Sequence, residues 1–336
     1  MDRRKLATLC FLPALFSAEA ALAQTGPELL LKPFRLDDQF ELNLDTLYDI
    51  ESTTDAFEPG TGEGFDFRVN QYRVNGRLRL TPGESEEGIA RAQPRAGFSY
   101  DQIEIRSNDP LLPDKITDAS VAVGMGVLAV DGWLGGVTIG YGHAAADSWE
   151  DGNADYVEAN FAVGKTFSNE VDSFGVVINF DGNRSILPDW PLPGFQYRKQ
   201  LSDEFILSLG FPFSSVEWRP DERLTVNVQY SIPDSFNFRV DYDIVGGLGL
   251  YGSFESTTTA AWWDELERGN QRVFFEQQRA EAGLAYDLDR DKLKVITAAG
   301  WSFGQEFRVG FDSRDLTDLR EVDDTVYLRA ALELRL

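Results

Sequence analysis

The chain has 336 residues, 43% hydrophobic and 26% charged, with 56 acidic against 31 basic residues and a formal net charge of -25. Such acidity argues against a nucleic-acid partner, since each phosphate contact calls for Lys or Arg. One Cys and one His exclude a zinc ribbon, a disulfide framework or any site of clustered Cys and His, and no run of about 20 apolar residues offers a transmembrane helix.

At the N-terminus, Arg3, Arg4 and Lys5 precede an apolar stretch from Leu6 to Phe16 and small residues ending in Ala21-Leu22-Ala23. The pattern predicts a secretory signal peptide over residues 1–23 with an A-x-A cleavage site. Its removal leaves 28 basic and 54 acidic residues, a net charge of -26, and no cysteine, because Cys10 departs with it. Residues 24–38 then read as a periplasmic N-terminal segment. An exported chain without cysteine is held by backbone hydrogen bonds and packing alone.

From Phe40 onward a period of two dominates. Val157, Ala159, Phe161 and Val163 alternate with Glu158, Asn160 and Ala162. Leu224 to Ile232, Phe236 to Tyr242 and the terminal run Val326 to Leu336 alternate in the same way. Alternation marks strands with two unlike faces, and runs of about ten residues suit a tilted crossing of a bilayer. Helical periodicity is confined to Ala260–Arg268, which reads as one or two helical turns in a loop.

Two runs change face midway. Phe65, Phe67 and Val69 are odd-numbered whereas Tyr72, Val74 and Leu78 are even; Ala96, Phe98 and Tyr100 give way to Ile103 and Ile105. A one-residue bulge near Asn70-Gln71 and another near Asp101-Gln102 would keep each apolar set on one face.

The connections alternate in length. Short turns are expected at Asp131-Gly132, Ser168-Asn169-Glu170, Pro220-Asp221-Glu222 and Asp289-Arg290-Asp291, and longer loops at 51–64, 107–116, 144–154, 182–194, 257–271 and 312–324. Those loops carry charges of -4, -1, -3, 0, -2 and -4, which is -14 in 76 of the 313 mature residues. Short turns at one end and long loops at the other predict a membrane barrel. Counting from both termini requires an even number of strands between residues 194 and 257. Treating 195–201 as loop gives fourteen, the favoured count; splitting 204–218 at Pro212, which cannot donate to a ladder, gives sixteen. The expected fold is all-β, an antiparallel up-and-down transmembrane β-barrel over residues 39–336 with about 14 strands, within a range of 12–16.

With its Ala21-Leu22-Ala23 signal, its alternation from Phe40 and its terminal strand Thr325–Leu336, the chain resembles Gram-negative outer-membrane β-barrel proteins. Pro193-Gly194-Phe195-Gln196-Tyr197 with Leu209-Gly210-Phe211-Pro212 is similar to uncharacterised barrel families of unknown function. The resemblance implies residence in the cell outer membrane, contact with its lipid and lipopolysaccharide, and delivery by the barrel-insertion machinery through the C-terminal strand. In this group the last residue is typically aromatic; here it is Leu336.

Chemistry-bearing residues are few. His143 is the one candidate base, but the resemblance to outer-membrane phospholipases and deacylases calls for a Ser two residues on, and that position is Ala145. Asp287-Leu288-Asp289-Arg290-Asp291 opens like a calcium loop, yet Lys292 and Ala298 occupy the positions of its Gly and bidentate Glu. No catalytic, cofactor or metal residue is therefore expected. Trp133, Trp149, Trp218 and Trp301 suit interfacial girdles. Arg68, Arg77, Arg79, Glu158, Arg239 and Asp241 fall on or near polar alternates and are the expected lumen-lining residues. Architecture alone then suggests a passive or weakly selective channel for small solutes, with a closed structural or surface-interaction barrel as the alternative and a lipid-modifying enzyme third.

Overall fold

The computed structural model describes residues 39–336 apart from 51–53, 59–63, 81–93, 148, 150–151, 168–171, 233–234, 267–270 and 290–291. The signal-peptide and periplasmic-segment expectations for residues 1–38 lie outside the described residues.

Alternating polar and apolar side chains give extended segments throughout. They are β1 (Phe40–Asp49), β2 (Thr54–Phe57), β3 (Gly64–Arg79), β4 (Arg95–Ser107), β5 (Lys115–Val130) and β6 (Trp133–Ala146). Next come β7 (Asp155–Thr166), β8 (Ser173–Asp181), β9 (Leu192–Gln200), β10 (Phe205–Phe211), β11 (Phe213–Trp218) and β12 (Leu224–Ser231). The chain ends with β13 (Ser235–Val245), β14 (Leu248–Trp262), β15 (Arg272–Asp287), β16 (Leu293–Gly310), β17 (Thr317–Val322) and β18 (Thr325–Arg335).

Every neighbouring pair in the ring is antiparallel, and β1 pairs with β18 to close it. β1 and β2 both pair with β3, so they are two pieces of one strand; β17 and β18 share β16 in the same way. The result is an all-β antiparallel closed barrel of sixteen strands. Closure leaves no edge to aggregate.

The favoured count of fourteen is thus corrected to sixteen. Residues 192–200 form β9, and Pro212 separates β10 from β11, which pair back on each other from Phe205↔Trp218 to Ser208↔Ser215. Proline has no amide to give the ladder, so the chain reverses there. The even parity holds with six strands instead of four. Sorting by loop length is corrected too, because β10 and β11 are separated by Pro212 alone, and β12 ends at Ser231 only four positions before β13 begins at Ser235, both at the long-loop end. The expected loops 51–64, 257–271 and 312–324 contain β2, the end of β14 and β17, and the expected helical turn at Ala260 is strand as far as Trp262.

Neither expected bulge exists. β3 pairs with β4 without interruption from Phe67↔Ser107 to Arg79↔Arg95, and β4 with β5 from Arg95↔Gly124 to Glu104↔Lys115. The face switch is real. Toward the termini, the outside carries Leu78, Phe98, Val121, Ile139, Phe161, Ile178 and Leu328, all exposed. Toward the loops, Phe67, Val69, Ile103, Ile105 and Phe307 point inward and are buried. A register slip does occur in β16 near Gly304, whose φ is +57°. It brings both Ser302 and Phe307 to the buried side.

The inward apolar residues form one core. Phe67 meets Phe307 edge-on at 5.7 Å, Phe275 stacks on Phe307 at 4.6 Å, and Ile116, Trp263 and Val322 join them. β14 bends across the mouth to touch β6, Trp262 lying parallel to Ala145. The taller strands are thereby drawn into a cap with a dry interior and polar exterior, while β9 to β12 stop lower. Burying each large aromatic contributes about 1.5–3 kcal/mol.

Candidate functional site

Below the cap, the inward alternates of β1, β3, β4, β14, β15 and β18 are charged and meet one another. Arg77 Nε donates to Glu41 Oε2 at 2.7 Å. Arg73 Nη2 donates to Asp101 Oδ2 at 2.6 Å, and Gln71 Nε2 to Asp101 Oδ1 at 3.1 Å. Arg329 bridges Asp45 at 2.8 Å and Glu281 at 2.5 Å. Arg279 pairs with Glu255 and donates to Gln71 at 2.8 Å. Removing such charges from water is costly unless each is paired and hydrogen-bonded. Among these side chains there remains a cavity of about 10 Å³, room for one water.

Two tyrosines complete this wall. Tyr327 and Tyr251 donate to opposite oxygens of Glu281 at 3.0 and 2.9 Å. The Tyr327 ring lies flat over Gly300, where any Cβ would collide with it. A glycine is needed there for close approach, not for backbone freedom. Tyr156 crosses Gly142 in the same manner and donates to Asp118 at 2.6 Å.

The opposite arc is different. Along the cross-strand register, Ser208 faces Ser215, Ser215 faces Gln229, and Gln229 faces Asn237. These four share the inward face, because the intervening Leu209, Tyr230 and Phe238 are exposed outside. The row is uncharged until it reaches Glu255, the partner of Asn237 on β14.

The residues expected in the lumen distribute unevenly. Arg77 and Arg79 are buried on the face of Gln71 and Arg73, and Glu158 is buried beside Asn160. Arg239 and Asp241 face inward and pair at 2.8 Å, with the guanidinium 4.1 Å over the Tyr251 ring. Arg68 lies on the opposite face of β3, with Tyr72, and donates to the Asp49 carbonyl at 2.9 Å. Its expected facing depended on the bulge that is absent. Asp45, Gln71, Arg73, Asp101, Glu255, Arg279, Glu281 and Arg329 were missed, although each is a polar alternate within a strand.

At the loop end, residues 182–191 lie against the cap. Arg272, almost fully buried, donates to the carbonyls of Phe311, Asn183 and Arg184 at 2.9, 3.1 and 3.0 Å. Asn183 donates in turn to Asp118 at 3.3 Å and to the Ala260 carbonyl at 3.0 Å. The Leu187 amide donates to Asp312 at 3.3 Å. Burial by itself would raise the Asp312 carboxyl, but hydrogen bonds from the Arg314 side chain and from the Arg314 and Leu187 amides hold it below its ordinary value. Arg320 of β17 pairs with Asp109 in the β4–β5 loop, both buried.

His143 sits on the outer face with exposed Tyr141. Its Nδ1 lies 2.7 Å from Asp155 Oδ1 and its ring 4.6 Å from Trp149. Trp133 and Trp218 are exposed near the termini end, Trp149 in the loop before β7, and Trp301 within β16. Among the described residues, no three His, Cys, Asp or Glu side chains cluster so as to hold a metal.

No family model matches this chain, and no curated protein sequence matches it. Solved structures do. A bacterial polysaccharide outer membrane secretin matches at 10% identity over 89% of this chain and 99% of its own, with a TM-score of 0.43. The Pseudomonas putida toluene transporter TodX matches at 11% identity over 97% and 98%, with a TM-score of 0.42. An outer membrane channel from Pseudomonas putida F1 matches at 10% identity over 90% and 97%, with a TM-score of 0.40. The structures it is similar to are outer-membrane barrel proteins.

Proposed function

We propose that the chain is an outer-membrane channel for small solutes, passive or weakly selective. The observation that carries this reading is the uncharged row Ser208, Ser215, Gln229 and Asn237 inside a closed ring of sixteen strands. Barrels of sixteen to eighteen strands leave room for an aqueous path, and on this arc the half-buried Ser215 and Asn237 would border it. The outward apolar band suits a bilayer core, and lipid and lipopolysaccharide are its expected surroundings, reached through the insertion machinery. Arg77, Arg79, Glu158, Arg239 and Asp241 are proposed to line the lumen. The purified protein in planar bilayers should give discrete conductance steps. Current indistinguishable from bare lipid would sink the reading.

A closed structural or surface-interaction barrel is the second reading, favoured by the Arg279–Gln71 link and the apolar cap. It predicts silence in bilayers from both the wild type and a variant with the cap loosened.

A further inference from the structure

We infer that the lumen favours uncharged, hydrogen-bonding solutes of the polyol or sugar class over ions, an inference that rests on the channel reading. The two walls divide the work. On the charged wall, the carboxylates of Glu41, Asp45, Asp101 and Glu281 are each in contact with Arg77, Arg329 or Arg73. Close pairs of opposite sign present dipoles to the lumen, whose field falls off faster than that of a lone charge. An ion crossing here meets carboxylates already in contact with guanidiniums, Arg329 serving both Asp45 and Glu281, in place of a ladder of free counter-charges.

On the other wall, four consecutive strands carry hydroxyl and amide groups in register, Ser215 and Asn237 half-buried and Ser208 and Gln229 buried beside them. Hydroxyls and primary amides both donate and accept. A polyol entering the lumen exchanges its water bonds for theirs, whereas an ion gives up hydration without an equal return. The row ends at Arg198 on β9 and at Glu255 on β14, the latter held by Arg279. Exposed carboxylates at the loop end, among them Asp264, Asp315 and Asp318, act at the mouth, where salt screens them within about 10 Å at 0.1 M.

The test uses the full mature barrel, folded in liposomes and in planar bilayers. Liposomes should swell in glucose and in arabinose, and the reversal potential in a KCl gradient near 1 M should give a K⁺/Cl⁻ permeability ratio within about twofold of unity, since at that salt screening acts over about 3 Å. Asn237→Asp and Ser215→Asp each add a carboxylate to the row without a matching guanidinium. Both should raise the preference for K⁺ several-fold, with retention of the heat-modifiable folded band showing that the barrel is intact. Strong ion selectivity in the wild type, or folded variants that conduct with an unchanged reversal potential, would overturn the inference and leave the channel standing. Absence of both swelling and conductance would overturn the channel reading and the inference with it.

Discussion

Arg279 on β15 donates to Gln71 on β3 at 2.8 Å although three strands, β1, β18 and β16, separate them around the ring. The contact spans a chord of the barrel. Arg279 also pairs with Glu255, and both side chains are buried. Arg279→Met therefore leaves Glu255 charged without its closest partner, and breaking a buried pair on one side costs about 3–5 kcal/mol. The double variant Arg279→Met/Glu255→Leu should recover most of that loss, because an apolar replacement of both partners restores packing without a stranded charge. Urea unfolding in detergent, followed by tryptophan fluorescence, checks both. A double variant as unstable as the single one would show that the pair matters through more than its charge.

The cap is the second place where one side chain carries a large share. Phe307 touches Phe67 and Phe275 and is fully buried. Phe307→Ala should cost about 3–5 kcal/mol through lost burial and the cavity left behind. Because the core lies toward the loops, the loss should be local. Amide exchange is expected to rise in β3, β15 and β16 near this core, while protection in β9 to β12 stays as it was. A uniform rise around the ring would mean that the cap and the lower barrel unfold as one unit.

The alternation that makes strands was legible wherever one face met a single environment throughout, as from Phe236 to Tyr242 and from Val326 to Leu336. It misled where the environment inverted. Phe67 and Ile103 are apolar because they fill the cap, whereas Tyr72 and Phe98 are apolar because they face outward. With both sets assigned to one face, a bulge was the sole way to reconcile them, and Arg68 was turned inward as a consequence. Parity constrained the strand number to be even between 194 and 257, but it does not separate loss of β9 from gain of the Pro212 turn. The ion-pair wall was beyond reach for another reason. Arg329 meets Asp45 from 284 residues away, and periodicity says which face a residue takes without saying which distant strand lies opposite.

Arg272 ties three carbonyls from two loops, so its removal should free the segment 182–191 more than it weakens the barrel. Arg272→Gln keeps one amide donor pair but loses the guanidinium fork. Limited trypsin digestion should then cut after Arg184 in the variant while the wild type is cut slowly there. Conductance should rise if this segment narrows the outer mouth. A folded variant with unchanged cleavage and unchanged current would show that Asn183 and Asp312 hold the loop without help from Arg272.

Acid should release the same loop from its other side. Asp312 accepts from Arg314 Nε at 2.9 Å and from the amides of Arg314 and Leu187 at 3.0 and 3.3 Å, and these bonds hold its carboxyl below its ordinary value against the effect of burial. A carboxyl held lower in the folded state binds its proton less tightly there than in the unfolded chain, where the value is about 3.9. Its contribution to stability is therefore fully present above that value and is lost as pH falls through the lower folded one. Exchange of the Leu187 and Arg314 amides should accelerate below about pH 4 relative to the intrinsic rate. Asp312→Asn, which keeps an acceptor and loses the charge, should show faster exchange at neutral pH and no further change on acidification from this position. A wild-type loop whose protection does not vary over that acid range would remove Asp312 as its anchor.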